Sequence, residues 1–211
     1  RMRHHSTAQV HSKGDAMHEA LKKNVFLVKE HVGMFKAANN YDIHDPQTGD
    51  LVMECREESL GFLTKLFRFT EYKRMTPFDI KICTPDGQQL IRITRGVSIF
   101  LSTVSVFDEN DHFIGGFKQK FFSIGGAFNV LDADDQPVCV LQGKWTGWDF
   151  RFMAGQNEFA HINKEWGGIG KELFTSADNY VLQISDVVPA DHVARQLILA
   201  AVMCIDMVLK E

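Results

Sequence analysis

The stretch DHVARQLILAAVMCIDMVLK, Asp191 to Lys210, decides the fold. Pro189 and Asp191 are helix-start signals, because proline suits the first turn and aspartate accepts orphan N–H bonds there. From Leu197 to Ile205 no side chain is polar. Wound at 3.6 residues per turn, the run is apolar on every face, with Leu197, Leu199, Val202 and Ile205 among its larger side chains. A helix of this kind is either enclosed by protein or spans a bilayer. Leu197 to Ile205 rises only about 13 Å, against a hydrocarbon core of about 30 Å. Extension to Leu209 takes in Asp206, which costs roughly 2.5–3.5 kcal/mol near a bilayer centre. The expectation is a core helix, and a core helix needs a sleeve.

The chain upstream supplies one. From Asn24 onward the pattern is period-two alternation broken by Asp, Asn, Gly and Pro turns, the signature of β-hairpins. Tyr41-Asp42-Ile43 and Leu51-Val52 flank a turn at 45–49. Phe78 to Ile82 and Leu90 to Ile93 flank 85–87. Val104 to Val106 and Phe113-Ile114 flank 108–111, Phe128 to Val130 and Val138 to Val140 flank 132–135, and Phe150 to Phe152 and Phe159 to Ile162 flank 155–157. Five hairpins, a first strand at Val25–Lys29 and a last at Tyr180–Ile184 make about twelve strands. An antiparallel sheet that wide is expected to close, and a closed barrel of that size is too wide for its own side chains to fill. The predicted fold is therefore mainly β: a closed antiparallel barrel of about twelve strands around the buried C-terminal helix.

Bulk properties narrow the function. Of 211 residues, 45% are hydrophobic, enough for a real core. Net charge is −4, from 23 basic and 27 acidic residues, which argues against bulk electrostatic binding of nucleic acid. Cys55, Cys83, Cys139 and Cys204 are widely spaced, as small buried thiols in a reducing compartment would be. No apolar stretch opens the chain as a signal peptide would, so a cytoplasmic setting is expected. Residues 1–23 are polar, carry His4, His5, His11 and His18, and are expected to be a flexible tail or expression remnant, leaving 24–211 as one domain.

One insert interrupts the hairpins: SLGFLTKLFRFTEYKRM, Ser59 to Met75. Leu63, Leu66 and Phe67 fall at helical spacing, Phe62 and Phe69 add aromatic bulk, and Lys65, Arg68, Lys73 and Arg74 are interleaved. Cationic and apolar groups together suit a phospholipid membrane surface. The competing reading is a short helix sealing a barrel end, its charges merely solvated.

A family resemblance enters with Ile162 to Ile169 (INKEWGGI), Lys171 to Thr175 (KELFT), Ala177 to Tyr180 (ADNY) and the helix ending Cys204-Ile205-Asp206. Together with Phe26 to Lys29, Asn40 to Ile43 and Pro77 to Ile80, these resemble the phospholipid scramblase family over nearly the whole chain. The resemblance implies a Tubby-like fold and calcium-stimulated, energy-independent movement of phospholipids between leaflets, with peripheral or reversible membrane association. It places a calcium segment on Ser176 to Val187, with Asp178, Asn179 and Asp186 as candidate ligands. Here the usual first acid is Ser176, the sixth position is Val181 and the twelfth Val187, where a loop of EF-hand type wants Gly and an acid. Tyr180 to Ile184 also alternates like a strand, which splays ligands to both faces, so weak calcium binding at best is expected. The family's cysteine-rich acylation run would fall on RGVSIFLSTVS, Arg95 to Ser105, which has no cysteine. Its nuclear-import segment would fall on 160–170, where only Lys164 is basic.

No nucleophile–base arrangement stands out, so no enzyme is expected. Gly115-Gly116 and Gly125-Gly126 lack the strand-then-helix setting of a phosphate loop. His44, His112 and His161 lack ligand spacing, and the acidic turns at 108–111 and 132–135 are expected for backbone reasons. Two readings remain besides the scramblase: a lipid- or phosphoinositide-binding module without transport, and an interaction scaffold.

Overall fold

The structure is a computed structural model and describes residues 16–30, 40–57, 77–96, 103–119, 127–144, 148–164 and 179–209. Twelve strands close into one barrel: β1 (Val25–Glu30), β2 (Tyr41–His44), β3 (Leu51–Glu57), β4 (Phe78–Cys83), β5 (Gln89–Arg95), β6 (Thr103–Phe107), β7 (Phe113–Gln119), β8 (Ala127–Asp132), β9 (Pro137–Lys144), β10 (Asp149–Ala154), β11 (Asn157–Asn163) and β12 (Asn179–Ile184). Each strand pairs antiparallel with its neighbours in sequence, and β12 closes on β1 from Val25↔Gln183 to Lys29↔Asn179. The helix α1 (Ala194–Leu209) lies inside.

Alternation explains both faces. Inward residues such as Ile43, Ile80, Ile93, Val106, Phe152 and Ile162 are at most 1% exposed and form one cluster with the helix. Outward positions carry ion pairs instead: Arg56 with Asp42 at 2.5 Å, Arg92 with Asp79 at 2.6 Å and Arg151 with Glu158 at 2.9 Å. Such pairs add little stability, about 0–1 kcal/mol each. They do show that this wall faces water, since a barrel that spans a membrane turns an apolar band outward.

Up-and-down order gives the barrel two unlike rims. At one lie all five hairpin turns, the entry to β1 and the linker into α1. At the other lie the opposite strand ends, Glu57, Phe78, Arg95, Thr103 and Asn179 among them. Four of the turns share one design. Asp45, Thr84, Asp108 and Asp132 each open a turn, and each backbone N–H donates to the carbonyl that closes it, at 2.9 Å. Each side chain also accepts from the turn's own amides; Asp132 Oδ1, for example, takes the N–H groups of Asp134 and Gln136 at 3.0 and 2.8 Å. Gly49, Gly87, Asp111 and Asp135 then take positive φ, between 59° and 94°. In all five hairpins the register slips beside the turn, leaving Val52, Leu90, Ile114, Val138 and Phe159 as the extra residue of the second strand. Bulges sharpen twist, and a sheet that must coil shut needs it.

Two boundaries move from their expected places. The helix begins at Ala194, not Asp191, because Pro189 accepts from His192 N–H in a preceding turn and His192 Nδ1 accepts from the Ala194 N–H as the cap. The domain begins before residue 24: Glu19–Lys22 form a 3-10 turn capped by His18, and Leu21 is 2% exposed against the core.

Candidate functional site

Leu197, Leu199, Val202 and Ile205 are at most 2% exposed, and every residue from Ala194 to Ile205 is buried. The helix is also pinned. Arg195, 1% exposed, donates from Nε to the Leu21 carbonyl at 3.0 Å and from Nη1 to the Val188 carbonyl at 3.0 Å. Its Nη2 reaches the Lys22 and Lys23 carbonyls and Asn24 Oδ1 at 3.0, 2.6 and 2.5 Å. Gln196 donates to the Leu90 carbonyl at 3.4 Å.

Between helix and wall lies an apolar cavity of about 10 Å³, bounded by Val104, Phe117, Phe128 and Leu141 on one side and Ala201, Cys204 and Ile205 on the other. That is about the room one water needs, with no polar group to hold it. A phospholipid cannot pass there while the helix is in place. Burial drives the Cys204 and Cys139 thiols up to about 12 and Cys55 well above its ordinary value, so these thiols stay protonated and inert.

Only part of the expected site falls among the described residues. The lipid-contact set Phe62, Lys65, Phe67, Arg68, Phe69, Lys73 and Arg74 lies outside the described residues, as does Asp178. Of the other candidate calcium ligands, Asn179 opens β12, buried, at the rim away from the hairpin turns. Asp186 lies beyond the other end of β12, exposed, and accepts from Asn24 Nδ2 at 2.5 Å. A strand advances about 3.3 Å per residue, so these two cannot share one ion. Among the described residues no group of three or more His, Cys, Asp or Glu is gathered closely enough to hold a metal. The acidic turns spend their leading carboxylates on their own backbone, as expected. His44, His112 and His161 meet the Gly49 carbonyl, Asp108 and Asp149, and the His161 contact at 2.7 Å holds the Asp149 carboxyl below its usual range.

A further cluster lies on the rim away from the turns. Trp148, just before β10, stacks on Tyr180 of β12 at 5.5 Å and 22° and meets the edge of Phe150 at 6.2 Å. The ammonium of Lys164, just past β11, lies 4.6 Å from the Trp148 ring centre. Trp148 takes φ +48°, a left-handed conformation that costs an L-residue roughly 1–2 kcal/mol. On the same rim Arg95, 4% exposed, lies 4.7 Å over the Phe78 ring.

Among the described residues no helix is long and apolar enough to cross a membrane. No solved structure matches the chain significantly. The family model described as Scramblase matches residues 18–211, a span that takes in the 3-10 turn, all twelve strands and the central helix, and the chain belongs to that family.

Proposed function

We propose that this protein acts on phospholipids at a membrane surface as a scramblase-like protein, exchanging lipids between leaflets in both directions without ATP. Family membership across residues 18–211 carries this reading. In this reading the protein sits peripherally on the cytoplasmic face of a membrane, with calcium as a candidate activator. Lipid would move along the protein's outer boundary or after the helix leaves the barrel, because the interior beside the helix has no room for it.

A second reading, a lipid-binding module without transport, is favoured by the pinned helix: Arg195 would have to give up all its carbonyl partners before α1 could leave. Flotation with vesicles, with and without calcium, tests lipid contact. Dithionite quenching of labelled lipid in reconstituted vesicles then separates exchange from binding alone. A chain that neither floats nor speeds quenching removes both readings.

A further inference from the structure

We propose that residues 18–23 form a strap hinged at Asn24, which lifts as a unit to free the entry of α1 while all twelve strands stay paired. This deepens the reading in which lipid moves after the helix leaves the barrel, by naming what must open first. The opening takes place in water without lipid, so it stands or falls apart from that reading.

Three observations carry it. The first is how Arg195 is held. It donates to three carbonyls of the strap, those of Leu21, Lys22 and Lys23, at 3.0, 3.0 and 2.6 Å. Its bonds to the Val188 carbonyl and to Asn24 Oδ1 do not involve the strap and survive its lifting. Strap and helix are therefore coupled through one guanidinium, which exchanges three buried acceptors for water in a single step. The second is Asn24. Its carbonyl accepts from the Ile184 N–H at 2.7 Å and its side-chain amide donates to Asp186 at 2.5 Å, so it is fastened to the end of β12. The strand ladder starts one residue later, at Val25↔Gln183. The strap thus lies outside the ladder, and lifting it breaks no strand pair.

The third observation is the modest hold on the strap itself. Leu21 is buried in the same apolar cluster as the helix, with Met17 and Ala20 packed partly against it. On the outside, Lys23, half-exposed, pairs with Asp45 of a hairpin turn at 2.7 Å. Surface pairs of this kind contribute little. A buried leucine and a surface pair are a small hold beside the core that twelve strands bury together. Units with few buried contacts open far more often than the whole fold. While seated, the strap packs on α1, so its opening precedes any movement of the helix out of that end of the barrel.

The test is hydrogen exchange of the full chain, read by mass spectrometry of its peptides over a range of low urea. Peptides covering 18–24 and 192–199 should exchange at one common rate, faster than those of β10 and β11. That rate should depend only weakly on urea, because little surface is exposed when the strap lifts. Leu21→Ala should raise it at least tenfold, since the strap loses its buried anchor. Lys23→Gln should raise it about two- to fivefold, and it carries the test if circular dichroism shows Leu21→Ala unfolded. Gly116→Ala strains β7 against the Val104 carbonyl oxygen, whether the strap is down or up. It should speed exchange in β10 and β11 at least fivefold and leave 18–24 and 192–199 within about twofold of wild type. If 18–24 and 192–199 exchange at different rates, the strap and the helix entry are not one unit and the proposal falls. It falls equally if 192–199 ignores both strap variants, or if Gly116→Ala speeds every peptide alike, since unfolding of the whole barrel would then be the route.

Discussion

Arg195 joins three separate pieces of chain through one guanidinium: the 3-10 turn, the linker at Val188 and the helix itself. Its five N–H donors form a planar fork that no other side chain offers. Arg195→Met should leave buried carbonyls without donors and lower stability by roughly 3–5 kcal/mol in urea denaturation. Arg195→Lys should recover less than half of that, because one ammonium cannot span the same acceptors. Asp45 makes a second prediction. The Lys23 ammonium at 2.7 Å and then the Gln47 N–H hold its carboxyl below the ordinary value. A group whose pKa is depressed on folding adds stability that is present above its unfolded pKa, near 4, and is lost as pH falls through the folded value. The stability gap between wild type and Asp45→Asn, followed by denaturation from pH 7 to pH 2, should therefore close on the acid side.

At the level of elements, the strands were legible because inward and outward residues differ so sharply in chemistry. Ile80, Ile82 and Ile93 sit against Asp79, Lys81 and Arg92, and the alternation leaves one register that buries the first set. The bulges were also written there but passed over: Leu51-Val52, Leu90-Ile91 and Val138-Cys139 are adjacent apolar pairs that break alternation just after a turn, where the extra residue stands. The helix start was misplaced because Pro189 and Asp191 serve a turn equally well, and only tertiary position says which. Gly116 in β7 was unreadable for a similar reason. A Cβ there would stand 2.2 Å from the Val104 carbonyl oxygen, an approach that depends on how β6 lies against β7. Gly116→Ala should cost about 1–3 kcal/mol, read as a lowered melting temperature, since backbone rather than a flexible side chain must move.

For the molecule as a whole, the plug-and-sleeve arrangement followed from counting strands against the volume they enclose. Of the expected site, residues 62–74 and Asp178 lie outside the described residues, and Asn179 and Asp186 stand at opposite ends of β12. A rim is assembled from positions far apart in sequence, here Trp148, Lys164 and Tyr180, so local pattern does not show which side chains meet there. Cys204 offers an internal reporter of what the helix does. In solution its thiol, 4% exposed and with its pKa pushed up to about 12, should resist iodoacetamide labelling until the protein unfolds. If lipid exchange requires the helix to leave its sleeve, vesicles should speed Cys204 labelling at least tenfold; unchanged protection with active exchange would assign movement to the outer boundary alone.

Closure of β12 on β1 sets a condition on biosynthesis. The first strand off the ribosome waits for the twelfth, and the greasiest segment emerges after both. Until then the nascent polypeptide exposes two unpaired edges and an empty lumen, a state prone to aggregation and to chaperone capture. Its maturation should therefore be slow, all-or-none and intolerant of early termination, whatever task the finished particle performs.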